Sequence, residues 1–348
     1  MHTIGNFIAG SFSPAHGGQT LDNYNPATEN ILATIPRSQV EDVERAVNAA
    51  HFAQDEWSKL TLEQRSNWLD KIADALEQKT ELIASTESRD TGKPIALARR
   101  VDAARSVSNF RFFADFGRQQ TQQTFQMEDA LNVVHRSPVG TVGLITPWNL
   151  PLYLLTWKVA PALLMGNTIV AKPSEVTPLT AHLLAETLHE IGLPKGVFNL
   201  VHGLGPEVGQ AILEHPGIKA ISFTGGTETG RIVARTAAPM FKKLSLELGG
   251  KNATVVFADA DMEKAVEGAV RAAFTNSGQV CLCGSRIFVE EEIVEQFTSR
   301  FVEKVEAIRI GNPMDEQTEM GTVISPEHLL KIESVSYTHL TLPTKRIV

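Results

Sequence analysis

The sequence predicts an α/β protein, a doubly wound and mostly parallel sheet followed by a second, shorter α/β segment. Three observations carry this expectation. After Pro138 short β-branched runs alternate strictly with helical stretches, glycine-rich turns stand between them, and a fresh strand–helix–strand pattern opens near Asn252. Strict alternation of this kind places parallel strands beneath crossover helices on both faces of one sheet.

Taken in order, residues 1–13 carry no basic region and no long apolar run, so no targeting segment is expected. From Val40 to about Arg118 apolar residues recur at three- and four-residue spacing (Val43, Ala46, Val47, Ala50, then Leu69, Ile72, Leu76), which predicts amphipathic helices. Residues 119–137 turn polar and Gln-rich before the alternating Leu131 and Val133, and read as a projecting hairpin at a domain boundary. Strands are then expected at 141–146, 167–171, 197–201, 218–223 and 243–248, with helices at 179–191, 206–214 and 227–238. Ligands on such sheets sit beyond the carboxyl ends of the strands. The second α/β segment has strands at 254–257 and 285–289 around a helix at 262–274. The last stretch, 334–348 (SVSYTHLTLPTKRIV), reads as a foreign tail that continues neither the preceding helix nor any strand.

With 348 residues the chain is long enough for a large core and two domains. A formal net charge of −8 offers no basic surface for phosphate backbones, so nucleic acid is not an expected partner. The apolar stretch 152–165 is broken by Thr156, Lys158 and Pro161 and falls short of a membrane span. Its two cysteines, Cys281 and Cys283, leave no framework of secreted disulfides, and a reducing, cytoplasmic setting follows.

Several segments are candidates for chemistry. Gly203, Gly205 and Gly209 form GLGPEVG, one residue longer than the G-x-G-x-x-G fingerprint, and FTGGTETG (223–230) has Thr227 where the second glycine would fall. Each alone is commonly a mere turn, yet a glycine turn opening a helix can also place a pyrophosphate on free N–H groups and the helix dipole. In LELGGKN, Glu247 ends an apolar strand before two glycines. It is either a strand-end carboxylate or a partly buried general base near neutral pH. In FTNSGQVCLC, Cys281 follows a polar loop containing Asn276, Ser277 and Gly278. Most free cysteines are small buried hydrophobes, but this setting favours reactivity. Two cysteines cannot build a tetrahedral zinc site and no HExxH occurs among the ten histidines, so no metal is expected. The absence of a G-x-S-x-G elbow disfavours a serine hydrolase.

Taken together, TPWNLPLYLLTWKVAPAL, GNTIVAKPSEVTP, FTGGTETG, LELGGKN and FTNSGQVC stand in the order and approximate spacing of the NAD(P)-dependent aldehyde dehydrogenases. The chain resembles that superfamily over roughly residues 7–333. DAARSVSNFRFFA (102–114), WNLPLYLLTWK and CLCGSRIFV resemble more closely its branch acting on 2-hydroxymuconic and 2-aminomuconic semialdehydes.

What the resemblance implies is specific. The fold is a Rossmann-like sheet with a variant nucleotide-binding mode: an NAD-binding domain from 1–118 and 138–250, an oligomerisation hairpin at 119–137 and a partial catalytic domain at 251–333. Cys281 is the nucleophile, Glu247 the base for water, and Asn149 the donor to the oxyanion. Lys172 and Glu175 meet the adenosine ribose, where a carboxylate favours NAD over NADP. Gly225, Gly226 and Gly230 form the pyrophosphate-facing turn. Thr146, Pro147, Trp148, Ser174, Gly205, Gly209, Phe223, Thr224, Leu248 and Gly249 complete the cofactor site. Arg105 and Trp157 contact a small-molecule aldehyde, with Arg105 forking onto its distal carboxylate. A homo-oligomer is expected. The E-x-F-G-P motif of the family, the rest of its catalytic domain and the terminal strand of its oligomerisation flap are not found, so the sequence reads as the N-terminal two-thirds of such an enzyme. Two other readings stand beside this one. The thioester could pass to another acceptor such as CoA, against which Glu247 argues, or the chain could be a silent dinucleotide-binding fragment.

Overall fold

The computed structural model describes residues 2–341. Five short strands open the chain: β1 (His2–Thr3), β2 (Asn6–Ile8), β3 (Ser11–Ser13), β4 (Thr20–Tyr24) and β5 (Ile31–Pro36). None was anticipated, because no strand–helix alternation marks residues 1–36. A helical stretch follows over the expected interval: α1 (Val40–Lys59), α2 (Leu62–Glu77), α3 (Thr80–Thr91), then α4 (Ile95–Ala98), a π turn (Arg99–Ala103) and α5 (Ala104–Arg118) in continuous succession. Thr61 starts α2 with a reciprocal capping box to Gln64, and Gly92, at φ 75°, ends α3. Strands β6 (Thr124–Gln126) and β7 (Leu131–Val133) pair antiparallel as a ribbon whose strand residues are all exposed.

The central α/β run comprises β8 (Thr141–Ile145), α6 (Pro151–Leu164), β9 (Thr168–Lys172), α7 (Leu179–Glu190) and β10 (Phe198–Leu200). After a π turn (Gly205–Gly209) come α8 (Gln210–Glu214), β11 (Ala220–Gly225), α9 (Thr227–Ala237) and β12 (Lys243–Leu248). The sheet order is β12-β11-β8-β9-β10-β2-β3, parallel from β12 to β10 and antiparallel where β2 and β3 extend it. The chain winds from β8 out through β9 and β10, then returns to the opposite side of β8 for β11 and β12. The winding thus reverses between β8 and β11, and a crevice opens at their carboxyl ends.

Alternation along the buried strands splits the core between two faces. Leu144, Ile169, Ala171 and Phe198 pack with Leu69, Phe110, Leu155 and Leu184 on one face. Val170, Val201, Ile221 and Phe223 pack with Val43, Val47, Ile212 and Val233 on the other. Each of the larger of these side chains, taken fully from water, is worth about 1.5–3 kcal/mol.

Beyond the sheet lie β13 (Ala253–Val256), α10 (Met262–Phe274), β14 (Arg286–Val289), α11 (Val294–Glu306) and α12 (Pro326–Thr341). β13 and β14 pair in parallel over a small core of Val256, Val266, Ala269 and Phe297. The expectation for 334–348 needs correction: α12 runs on through Ser334 to Thr341, since no glycine or proline interrupts 327–341. The remainder of that stretch, 342–348, lies outside the described residues. Among the described residues no helix is long and apolar enough to cross a membrane.

One buried cation ties three helices together without a carboxylate. Arg65, 7% exposed, donates from Nε to Leu164 O (2.6 Å), and from Nη1 to Ser58 O (3.4 Å) and to Leu60 O. Those carbonyls belong to the C-terminal ends of α6 and α1, which lack helical partners and carry the negative end of the dipole. Arg65→Met is therefore expected to lower stability by about 1.5–3 kcal/mol in urea unfolding, with Arg65→Lys recovering only part. An unchanged midpoint in Arg65→Met would mean that water satisfies these carbonyls equally well.

Candidate active site

The strand register brings four chain reversals to one rim, because Ile145 lies opposite Lys172 and Phe223, and Thr224 opposite Glu247. A cavity of about 450 Å³ opens there. Of the residues singled out in the sequence, Pro147, Trp148, Asn149, Thr224, Gly225, Gly226, Glu247, Leu248, Gly249 and Cys281 line it. His328 and Ile332 of α12 also reach it, the imidazole lying edge-on to Trp148 with centroids 4.9 Å apart. Neither was anticipated, since nothing local distinguishes them from other helix residues.

Cys281 stands on a strained loop. Asn276, Ser277 and Gly278 have φ of 54°, 56° and 74°, and a left-handed conformation costs a non-glycine residue roughly 1–2 kcal/mol. Side-chain hydrogen bonds hold it. Asn276 Nδ2 donates to Asn149 O (3.1 Å), Gln279 Nε2 to Asn276 O (3.1 Å), and Asn149 Nδ2 to Gln279 O (2.9 Å). Ser277 Oγ donates to Gly321 O (3.2 Å), and Ile324 N–H to Gln279 Oε1 (3.0 Å). Asn252 Nδ2 donates to Cys281 O at 2.7 Å. Cys281 is half-buried and faces the cavity, whereas Cys283 is not part of its lining.

Of the two readings of the sequence, strand-end carboxylate or partly buried base, the structure fits the first: Glu247 is exposed, because β12 ends the sheet order and its alternate residues turn outward. Glu247 borders both this cavity and a second one of about 740 Å³, which Trp157 and Lys158 also line. Lys158 was overlooked as a mere interruption of an apolar run. It is buried, donates to Ser222 Oγ at 2.8 Å, and burial pushes its ammonium down to about 8, with the Glu247 charge pulling the other way.

Around the end of β9, Lys172 Nζ donates to Glu175 Oε2 (2.8 Å) and to Pro173 O (2.9 Å). Burial alone would raise the Glu175 carboxyl, but the charge and hydrogen bond of Lys172 and the backbone N–H groups of Glu175 and Gly205 hold it below its ordinary value. Gly209 packs near the Lys172 stem, and Ser174 Oγ accepts from Val176 N–H. Thr146 is buried, its N–H bound to Lys172 O. Gly226 precedes α9 with no side-chain cap and open space where a Cβ would stand, while a Cβ on Gly230 would lie 2.6 Å from Leu248 Cδ2. The Thr224 hydroxyl is buried without a hydrogen-bond partner among the described residues. Phe223 is a correction: its ring lies in the core, 4% exposed, since alternation along β11 turns it away from the cavity.

Arg105 and Trp157 do not join the 450 Å³ cavity. Arg105 is exposed on α5 with its guanidinium 5.7 Å from the Tyr153 ring centroid. Arg99, Arg111 and Arg118 along the same helical stretch all form ion pairs, whereas Arg105 has none among the described residues. Trp157, 44% exposed, stacks against Phe112 (6.3 Å) and packs edge-on to Phe113 (5.4 Å).

Beneath the Asn149 loop lies a fully buried ionic cluster. Lys93 Nζ is 2.9 Å from Asp102 Oδ2, 3.5 Å from Glu87 Oε1 and 3.0 Å from Asn149 O. Burial, and after it the Asp102 charge, push the Glu87 carboxyl up to about 8 despite Lys93.

The model of the aldehyde dehydrogenase family matches residues 12–340, and the chain belongs to that family. It is 47% identical over 332 residues to the 2-aminomuconic semialdehyde dehydrogenase of Homo sapiens, covering 94% of this chain and 68% of that protein. It is 43% identical over 341 residues to a 2-hydroxymuconic semialdehyde dehydrogenase of a Pseudomonas strain, covering 96% and 70%. Among solved structures, HpcC of Thermus thermophilus superposes with TM-score 0.96 at 42% identity over 100% of this chain and 68% of that one. An NAD+ complex of a Bacillus cereus aldehyde dehydrogenase gives 0.93 at 40% identity, covering 97% and 70%. The chain thus spans a little over two-thirds of the length of each of these proteins.

The buried cluster makes stability depend on pH in a definite direction. Folding favours the neutral form of Glu87, so this contribution is complete below its ordinary value of 4.5 and is lost as pH rises towards 8. Glu87→Gln keeps the shape without the ionisation. Its Tm should gain on that of the parent progressively between pH 5 and pH 8, and a constant difference over that range would contradict the burial argument.

Proposed function

We propose that the chain oxidises an aldehyde bearing a distal carboxylate to the corresponding acid, with NAD as oxidant and Cys281 as nucleophile. The observation that carries this is the meeting of Asn149, Glu247 and Cys281 on one cavity at the winding reversal of the sheet. Cys281 as thiolate adds to the carbonyl carbon, and the carbonyl π pair moves to oxygen. The second N–H of the Asn149 amide and the Cys281 backbone N–H stabilise that oxyanion, a kind of contact commonly worth about 3 kcal/mol. NAD, when bound, supplies the acceptor for the hydride of the aldehyde carbon, which leaves a thioester on Cys281. Glu247 then takes a proton from water, the water oxygen attacks the thioester carbonyl, and the C–S bond breaks to return the thiolate and release the acid.

For the cofactor, Lys172 and Glu175 would hold the adenosine ribose hydroxyls, with the carboxylate disfavouring a 2′-phosphate. Gly225, Gly226 and the first turn of α9 would hold the pyrophosphate. The uncapped start of α9 and the Thr224 hydroxyl, unpartnered among the described residues, are consistent with a polar ligand there. In the same reading, 1–118 with 138–250 is the cofactor domain, 251–333 belongs to the catalytic domain, and the exposed ribbon within 119–137 serves assembly into a homo-oligomer. Two free cysteines suit a cytoplasmic setting.

Two experiments test this proposal. Glu247→Gln should give a burst of NADH equal to the enzyme followed by slow turnover. Cys281→Ser should give no burst, and Cys283→Ser should keep most activity. Unchanged turnover in Glu247→Gln, or equal losses in the two cysteine variants, would overturn the assignment of roles.

The substrate class rests on Arg105, whose charge lacks a carboxylate partner among the described residues, and on the semialdehydes named in the relatives. Arg105→Ala should raise KM for 2-hydroxymuconic semialdehyde by roughly tenfold or more, on the order of 1.5–3 kcal/mol, and leave a neutral aldehyde nearly unaffected. Equal effects on both substrates would assign Arg105 a structural part only.

A further inference from the structure

We propose that Lys93 is a positioning residue that sets the direction of the Asn149 amide by fixing the Asn149 backbone carbonyl from below. The inference rests on the reading of Asn149 as the oxyanion donor. Lys93 Nζ donates to Asp102 Oδ2 and to Asn149 O, and Glu87 Oε1 stands 3.5 Å away as an ion-pair contact without a hydrogen bond. The side chains of Lys93, Asp102 and Glu87 are all 0% exposed. A buried lysine is tolerated only when paired and hydrogen-bonded, and here one of its bonds goes not to a carboxylate but to the peptide that carries Asn149.

That carbonyl accepts a second hydrogen bond from Asn276 Nδ2 at 3.1 Å. With both lone pairs engaged, the peptide plane after Asn149 cannot rotate freely, and the Cα–Cβ direction of Asn149 is set with it. Its Nδ2 then lies 2.9 Å from Gln279 O, two residues before Cys281. The backbone of Lys93 is pinned in its turn. Gly92, left-handed at φ 75°, would drive a Cβ to within 2.4 Å of Thr322 Cγ2, and Gly92 O accepts from Thr322 N–H at 3.2 Å. The same segment holds the cysteine loop through Gly321 O and Ile324 N–H. Gly92 and Lys93 thus tie the Asn149 loop and the Cys281 loop to one point. Asp102 reaches Lys93 from the π turn of Arg99–Ala103, and Glu87 from α3.

The test is a double-mutant cycle on the full chain, read by single-turnover NADH formation with an aldehyde and by titration with NADH. Lys93→Met should slow the single turnover at least tenfold while NADH affinity stays within twofold. Adding Lys93→Met to Asn149→Ala should cost less than a further twofold, because the lysine acts only through the asparagine. A merely structural role would instead multiply the two losses. Asp102→Asn, nearly isosteric, loosens the same ammonium and reads the same cycle if Lys93→Met does not fold. Multiplying losses, or a parental single-turnover rate in the lysine or aspartate variant, overturns the proposal. A parental rate in Asn149→Ala alone overturns the oxyanion reading and with it the role drawn here, and that outcome is distinct from failure at Lys93.

Discussion

Everything at the rim depends on the reversal of winding at β8. Parallel strands need crossovers of one hand, so a chain that leaves β8 for β9 and later returns for β11 must cover opposite faces of the sheet on its two journeys. Between the two directions no crossover fills the carboxyl edge, and the loops after β8, β11 and β12 are left facing one another. The inner strands are buried on both faces and mostly apolar, so much of the polar chemistry falls to residues at or just past the strand ends. Asn149 and Gly226 occupy such positions, whereas Glu247 lies within the last strand, β12, one residue before its end.

The cysteine loop arrives from outside the sheet and is joined to it by side-chain amides. Asn149, Asn252, Asn276 and Gln279 each donate to a backbone carbonyl within or beside the two loops. Amides suit this work because each offers donors and an acceptor without adding charge near a thiol. The consecutive left-handed residues at 276–278 are sustained by these bonds, and strain held by its surroundings is the usual mark of a site that must keep one shape.

Much of this was legible in the sequence. The helical interval began at Val40 and ended at Arg118, and β12 spans 243–248, because these elements are long or bounded by clear breaks. Glu247 and Cys281 drew attention through glycine-containing motifs and Asn149 through the resemblance carried by TPWNLP, and the three line one cavity. Less was legible where meaning depends on distant neighbours. Lys93 and Lys158 look in the sequence like any solvated lysine, and only the packing of α3, α5 and α6 buries them. Whether Glu247 is exposed or partly buried was left open, because whether a strand lies at the end of a sheet is a property of topology rather than of local pattern. Phe223 sits within a functional motif and still points into the core, since strand alternation assigns neighbouring residues to opposite faces.

The π turn at Arg99–Ala103 has a bearing on the geometry of everything that follows it. An α-helix advances about 100° per residue, and a π turn accommodates an extra residue without breaking the rod. The turn therefore acts as a rotary offset between α4 and α5: it lets Asp102 face the interior while Phe110 and Ala114 further along α5 also face inward and Arg105 faces out. A one-residue deletion here would turn the π turn into ordinary α-helix and change which residues of 99–103 face inward, Asp102 among them. Length at this point is thus under tighter geometric control than in any surface loop, and the phase of one helix governs which side chains meet the solvent above Tyr153.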